Sequence, residues 1–232
     1  MLKLDKHKVV SHEEWLRARE AFLAEEKAYM RQGDELARKR RELPWEKVDK
    51  PYKFDGPSGK LGLADLFGKH DQLIVYHFMF PPEDSEGCKH CSFWADNFDG
   101  APIHLAHRDA AFTAISRAPL AKIEAFKRRM GWHFSWVSSG GTDFNYDFQA
   151  SFKNPDKAYY NFKEQEPGFS DREGISVFFK DKRGDIFHTY SCYARGIEAV
   201  NGTYHFIDML PRGRDEGDEP QRWVRYHDRY ED

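Results

Sequence analysis

The sequence predicts an α/β protein with a mixed central sheet flanked by helices and preceded by a long N-terminal helix. Three observations carry this. A nearly unbroken run of helix formers spans 11–43. Leu73–Phe80 is a continuous apolar run of the kind found in strands buried on both faces. Beyond it, helix-like and strand-like patterns alternate.

Ser11 and Glu14 form an S-x-x-E capping box, and Pro44 closes the first segment. Trp15, Phe22, Tyr29, Leu36 and Leu43 recur every seven residues, accompanied by Leu16, Leu23 and Met30. A helix over 11–43 spans ~50 Å at ~1.5 Å per residue. The companion heptad positions Ala18, Glu25, Gln32 and Lys39 are mostly polar, which argues against a true zipper. The arm, residues 1–46, is read either as a helix laid across its own domain or as a homodimer contact.

Next, Tyr52–Phe54 reads as a strand, 55–59 as a turn, and Leu61–Phe67 as the start of a short helix. Gly59-Lys60 is not a phosphate loop, because Phe54 and Leu61 stand where Gly and Ser/Thr are required. After Leu73–Phe80 comes a Pro/Gly loop over 81–87, then a helix from Cys88 to about His107. A strand at Ala111–Ser116 follows. A helix over Pro119–Met130, stopped by Gly131, leads to a short strand at Phe134–Val137. The stretch 138–172 reads as an irregular insertion. Ile175–Phe179 and Asp185–Tyr190 form a hairpin, and a short helix lies within 194–210. Residues 47–212 are thus one domain, and 213–232 a charged tail in which Trp223 offers a docking point.

With 40% hydrophobic and 16% aromatic residues, disorder throughout is excluded. A formal net charge of -3 gives no basic footprint for nucleic acid. No apolar run is long enough to span a membrane, and the N-terminus lacks a signal core. A cytoplasmic protein is expected. Three cysteines are too few for a disulfide scaffold.

Two of them, Cys88 and Cys91, form a C-x-x-C on the first turn of a helix after a buried strand. That spacing brings two sulfurs within bonding range. The amides at a helix N-terminus favour a thiolate, which is the nucleophile. Lys89 and His90, between the sulfurs, can add positive charge. A stabilised thiolate stabilises the reduced form and makes the couple more oxidising. The other readings are half of a zinc site, without a second pair, and two structural cysteines. Haem attachment fails because Ser92 replaces the required His.

Several blocks resemble the uncharacterised DUF899 family: HEEWLRAR, FDGPSGKLGLADLF, LIVYHFMF, EGCKHCSFWADNFDG, ISRAPLAKIEAFKRRMGW, VSSGGTDFNYDF and FHTYSCYARGIEAVNGTYHFIDMLPRGRDEG. They run from about 11 to 217, and WVRYHD also fits. The resemblance implies a thioredoxin-like fold of the peroxiredoxin-like branch, and a predicted dithiol-disulfide oxidoreductase. It assigns Cys88 as the attacking and Cys91 as the resolving cysteine. One position departs: Gly174 stands where thioredoxins carry a cis-proline before the strand facing the dithiol. Such a proline excludes metal and holds an incoming peptide by its backbone. Its absence weakens the case for general protein disulfide exchange and leaves room for a small-molecule substrate, or for a metal.

Three functions follow. The first is thiol-disulfide exchange on a small-molecule or protein disulfide, with a thiol reductant and no cofactor. The second is peroxide reduction. Pro81, Ser85 and Cys88 fit P-x-x-x-[ST]-x-x-C, with Arg117 or Arg195 as the polarising arginine and Cys91 resolving the sulfenic acid. The third is metal binding, with His77, His90, His188 or His205 as partners for Cu(I) or Zn; no metal site is assigned. Cys192 reads as a small buried hydrophobe. His104 and His107 lack the Glu of a zinc-protease motif, and the basic runs 38–41 and 127–129 read as solvated helix faces. Phe93, Trp94 and Phe98 read as packing of the helix on the sheet. Asp96 is a modulator of the thiols if buried beside them.

Overall fold

The computed structural model describes residues 7–154, 156–166 and 168–231. The first six residues of the arm, Pro155 and Pro167 of the insertion, and the last residue of the tail lie outside them. The chain divides into two compact units, Met1–Pro44 and Trp45–Asp232.

The first unit holds α1, His12–Arg40. Ser11 caps it: its Oγ accepts the Glu14 N–H at 3.2 Å, and the Glu14 carboxylate accepts the Ser11 N–H at 3.2 Å. Glu13 and Glu14 lie in the first turn and Arg38, Lys39 and Arg40 in the last, each matching the helix dipole. The seven-residue stripe faces solvent, with Trp15, Phe22, Tyr29 and Leu36 all more than half exposed.

The second unit is built on an eight-stranded mixed sheet. Its strands are β1 (Glu46–Lys47), β2 (Lys53–Gly56), β3 (Gly59–Gly62), β4 (Gln72–His77), β5 (Ala110–Ser116), β6 (Ser135–Ser138), β9 (Gly174–Lys180) and β10 (Ile186–Tyr193). A separate hairpin pairs β7 (Ala158–Tyr160) with β8 (Lys163–Gln165). The sheet order is β1-β10-β9-β4-β5-β6-β2-β3. Strands β4, β5 and β6 run parallel, whereas β9 is antiparallel to β4 and to β10.

The helices are α2 (Lys89–Phe98), α3 (Ala101–Ala106), α4 (Leu120–Arg129), α5 (Phe144–Asp147) and α6 (Gly202–Asp208). Among the described residues no helix is long and apolar enough to cross a membrane. Four central strands in the order β10-β9-β4-β5, with α2 joining the parallel pair and helical turns following β10, make a thioredoxin-like core.

Strand β4 explains its unbroken apolar run. Leu73, Val75 and His77 point to one face, and Ile74, Tyr76 and Phe78 to the other. On the first face they meet Phe54, Phe67, Phe144 and Phe178. On the second they meet α2, α4 and an aromatic cluster with Phe126, Trp132 and Trp136. Both faces are covered, so neither alternates with polar residues. Each fully buried ring contributes about 1.5–3 kcal/mol relative to exposure.

Three elements differ from the sequence reading. The helix expected over Cys88–His107 is two helices. Pro102, in the first turn of α3, lacks an N–H and clashes with a continuing helix, and the chain breaks at Asp99-Gly100. The Asp99 carboxylate then accepts the His133 and Phe134 N–H groups at 2.5 and 3.2 Å. The stretch 138–172 is not wholly irregular. It contains α5 and the β7–β8 hairpin, because Phe144, Phe148, Phe152 and Tyr160 all find buried places. The turn between β2 and β3 is only Pro57-Ser58, since Asp55 and Gly56 already belong to the strand.

Candidate functional site

Strand β4 delivers the chain into a loop, 78–88, that folds back on itself. The Cys88 N–H donates to the Met79 carbonyl at 3.0 Å, and the Met79 N–H donates to the Cys91 Sγ at 3.4 Å. Gly87 is required just before the dithiol. A Cβ there would lie 2.7 Å from the Phe78 ring and 2.8 Å from the Phe126 ring. Cys88 is the N-cap of α2, and its carbonyl accepts both the N–H and the Oγ of Ser92 at 2.9 Å. Cys91 lies within the first turn and is buried at 2% exposure, while Cys88 is partly exposed.

The two thiols act on each other with opposite effects. The neighbouring Cys91 is the main cause that lowers the pKa of Cys88; burial opposes it, and the N–H groups of Cys91 and His90 add to the lowering. Burial pushes the Cys91 thiol well up, and the neighbouring Cys88 pushes it further. Of the two thiols Cys88 is thus the more acidic and Cys91 the less.

Cys88 and Cys91 open into a cavity of about 510 Å³. Its apolar lining includes Tyr76, Met79, Trp94, Phe169 and Pro220. Its polar lining includes His90, Arg172, Glu173, Arg195, Glu198 and Gln221. The Tyr76 hydroxyl donates to the Cys91 carbonyl at 3.3 Å. Burial raises the pKa of Glu173, whose carboxyl meets the Tyr160 hydroxyl at 3.4 Å. Its charge raises both thiols.

The other expected residues fall in different places. His90 lines the cavity, but burial and the charge of Lys89 lower its pKa. Both effects favour the neutral ring over the positive charge its position suggested. Lys89, on the first turn of α2, and Ser85, exposed in the loop, are not among the lining residues. Arg117 is also absent from the lining. It is held by Asp171 at 2.7 Å, Ser170 at 2.9 Å and Tyr146 at 3.1 Å. Arg195 lines the cavity and pairs with Glu198 at 3.1 Å. Asp96 is exposed and accepts from the Trp132 indole N–H at 2.8 Å, with His227 Nδ1 2.7 Å away. Gly174 begins β9, paired with His77 and Tyr193; a Cβ would lie 2.5 Å from the Tyr193 ring.

Of the candidate metal partners, only His90 shares the cavity. His77 faces the other side of β4, where Nδ1 meets Asn145 Oδ1 at 3.2 Å and Nε2 meets Ser176 Oγ at 2.9 Å. His188 lies beyond it, 2.7 Å from Ser191 Oγ. No group of three or more His, Cys, Asp and Glu able to hold a metal occurs among the described residues.

Sequence reasoning missed Arg172, Glu173 and Gln221. The first two sit immediately before Gly174, so the strand alignment that marked Gly174 already contained their signal. Gln221 had none, because a polar residue in a charged tail carries no periodicity.

Fold and site together define a thioredoxin-like protein with a C-x-x-C pair at a helix N-terminus. The chain belongs to the family described as bacterial protein of unknown function (DUF899), whose model matches residues 4–230. No curated protein matches it. Among solved structures it is similar to Xanthomonas campestris peroxiredoxin Q, at 12% identity and a TM-score of 0.47, covering 69% of this chain and 93% of that one. It is also similar to the peroxidoxin BcpB of Mycobacterium tuberculosis, at 13% identity, a TM-score of 0.46 and coverages of 69% and 95%. A third is the mitochondrial 2-cys peroxiredoxin of Plasmodium falciparum, at 13%, 0.40, 70% and 91%.

Proposed function

We propose that this protein is a thiol-disulfide oxidoreductase in which Cys88 attacks and Cys91 resolves. The observation that supports it most is the placing of the pair: Cys88 caps α2 at a cavity with Cys91 buried three residues on, which makes the first thiol the more acidic and the second the less. The Cys88 thiolate displaces one sulfur of a substrate disulfide, forming a mixed disulfide and releasing a thiolate. Cys91 gives up its proton and attacks the Cys88 sulfur. The Cys88–Cys91 disulfide forms and the second substrate thiolate leaves. Two electrons pass from the dithiol to the substrate, and a thiol reductant restores the pair. This cycle suits a reducing compartment such as the cytoplasm.

Peroxide reduction is less well supported. Of its signature residues, Ser85 and Arg117 are not in the cavity lining and Arg117 is engaged by Asp171; Arg195 does line it, paired with Glu198. Turnover assays with disulfide and with hydroperoxide, for wild type and Cys88→Ser, separate the readings. Disulfide turnover that vanishes in Cys88→Ser supports exchange. Equal activity of the two proteins on both substrates refutes both readings.

A further inference from the structure

The geometry points to a size filter on the dithiol: the C-terminal segment walls the cavity, with Gln221 as the residue that sets the limit, so the site takes a low-molecular-weight organic disulfide and excludes a disulfide held in a folded protein. This inference rests on the oxidoreductase reading above.

The tail is tied down around the site. Val224 is completely buried in the core that holds Phe93 and Trp94. Trp223 packs edge-on against Phe93 at 5.3 Å. The Tyr226 hydroxyl donates to the carbonyl of Gly87, the residue before Cys88, at 2.7 Å. Asp228 accepts two bonds from Arg129, and Glu86 accepts from both Arg129 and Arg229. These contacts fix Pro220 and Gln221 as part of the cavity wall.

Gln221 has φ 63, in the left-handed region that disfavours a side chain. An unfavourable backbone at a site wall marks a constrained residue. It shares the cavity wall with His90, which lies between the two cysteines.

The backbone that a peptide substrate would pair with is also taken. A peptide that binds by strand addition needs an open strand edge for its main-chain hydrogen bonds. Ahead of β9, the Arg172 N–H already donates to the Ala150 carbonyl at 2.9 Å, and the Phe152 N–H donates to the Ser170 carbonyl at 2.8 Å. The protein's own segment 150–152 fills the place. What is left is a cavity of about 510 Å³, within the ~300–1,000 Å³ range of small-molecule sites.

The test uses the full chain carrying Cys91→Ser and Cys192→Ser, so that Cys88 is its one thiol. Its reaction rate is measured with N-ethylmaleimide and with a maleimide carried on a folded protein, each normalised to glutathione. The filter predicts a small-to-large rate ratio about tenfold or more above glutathione's. Gln221→Gly accepts the same φ without strain and should bring the ratio down. A ratio equal to glutathione's, or one unmoved by Gln221→Gly, overturns the filter. In parallel, wild type should reduce bis(2-hydroxyethyl) disulfide faster than the disulfides of insulin. Equal rates overturn the substrate class. No turnover of either disulfide with the alkylation filter intact defeats the oxidoreductase reading and supports the filter.

Discussion

The Cys88 thiol, at the N-cap of α2, is made more acidic by the Cys91 thiol beside it, and Cys91 is made less acidic by its burial and by Cys88. The asymmetry follows from position. Cys88 caps α2, where backbone N–H groups face it, and Cys91 lies one turn inside, away from water. An attacking thiolate and a protonated resolving thiol need that difference.

The pH dependence of alkylation checks it. Cys88 should react with an apparent pKa below the free value of ~8.5. Because the Glu173 charge raises Cys88, Glu173→Gln should shift the profile to lower pH still. An ordinary thiol profile, unmoved by Glu173→Gln, would contradict the electrostatics.

Global stability should fall in mild acid through His77. Burial lowers its pKa from 6.5 to about 4. The unfolded chain therefore binds a proton that the folded protein refuses. Stability is full above pH 6.5, declines as pH drops toward about 4, and levels off below. The loss is on the order of 3 kcal/mol. Urea unfolding across this window measures it, and His77→Gln should flatten the slope.

Gly174→Ala and Gly87→Ala should each destabilise by about 1–3 kcal/mol, the usual cost of overpacking. The first drives a methyl into the Tyr193 ring, the second into Phe78 and Phe126. Thermal unfolding reads both. For Gly87→Ala the thiol profile should change as well, because the loop carrying Cys88 must shift.

Of the two readings of the α1 stripe, a helix laid across its own domain or a homodimer contact, we propose the second. Removing residues 1–44 should lower the solution mass from dimer to monomer by light scattering. A full-length monomer would refute that role.

Much of the core was legible in the sequence. Leu73–His77 had to be buried on both faces, and Cys88 had to open a helix after it, because apolar continuity and C-x-x-C spacing are local signals. Pro102 was equally visible as a helix breaker, and the single helix expected from Cys88 to about His107 passed over it. The cavity was mostly illegible. Phe169, Arg172, Glu173, Arg195 and Gln221 come together only when the insertion, the strand ends and the tail fold around α2. In the tail only Trp223 marked a docking point, because charges dominate its composition. One valine and two aromatic residues, Val224, Trp223 and Tyr226, are enough to seat it.

The central claim is the division of labour between two cysteines, and intact-protein mass spectrometry after exposure to a small organic disulfide tests it most directly. Wild type should lose the mass of two hydrogens, with Cys88 and Cys91 joined, while Cys91→Ser should hold one substrate adduct on Cys88. An adduct on Cys192 instead, or no adduct in Cys91→Ser, would contradict it.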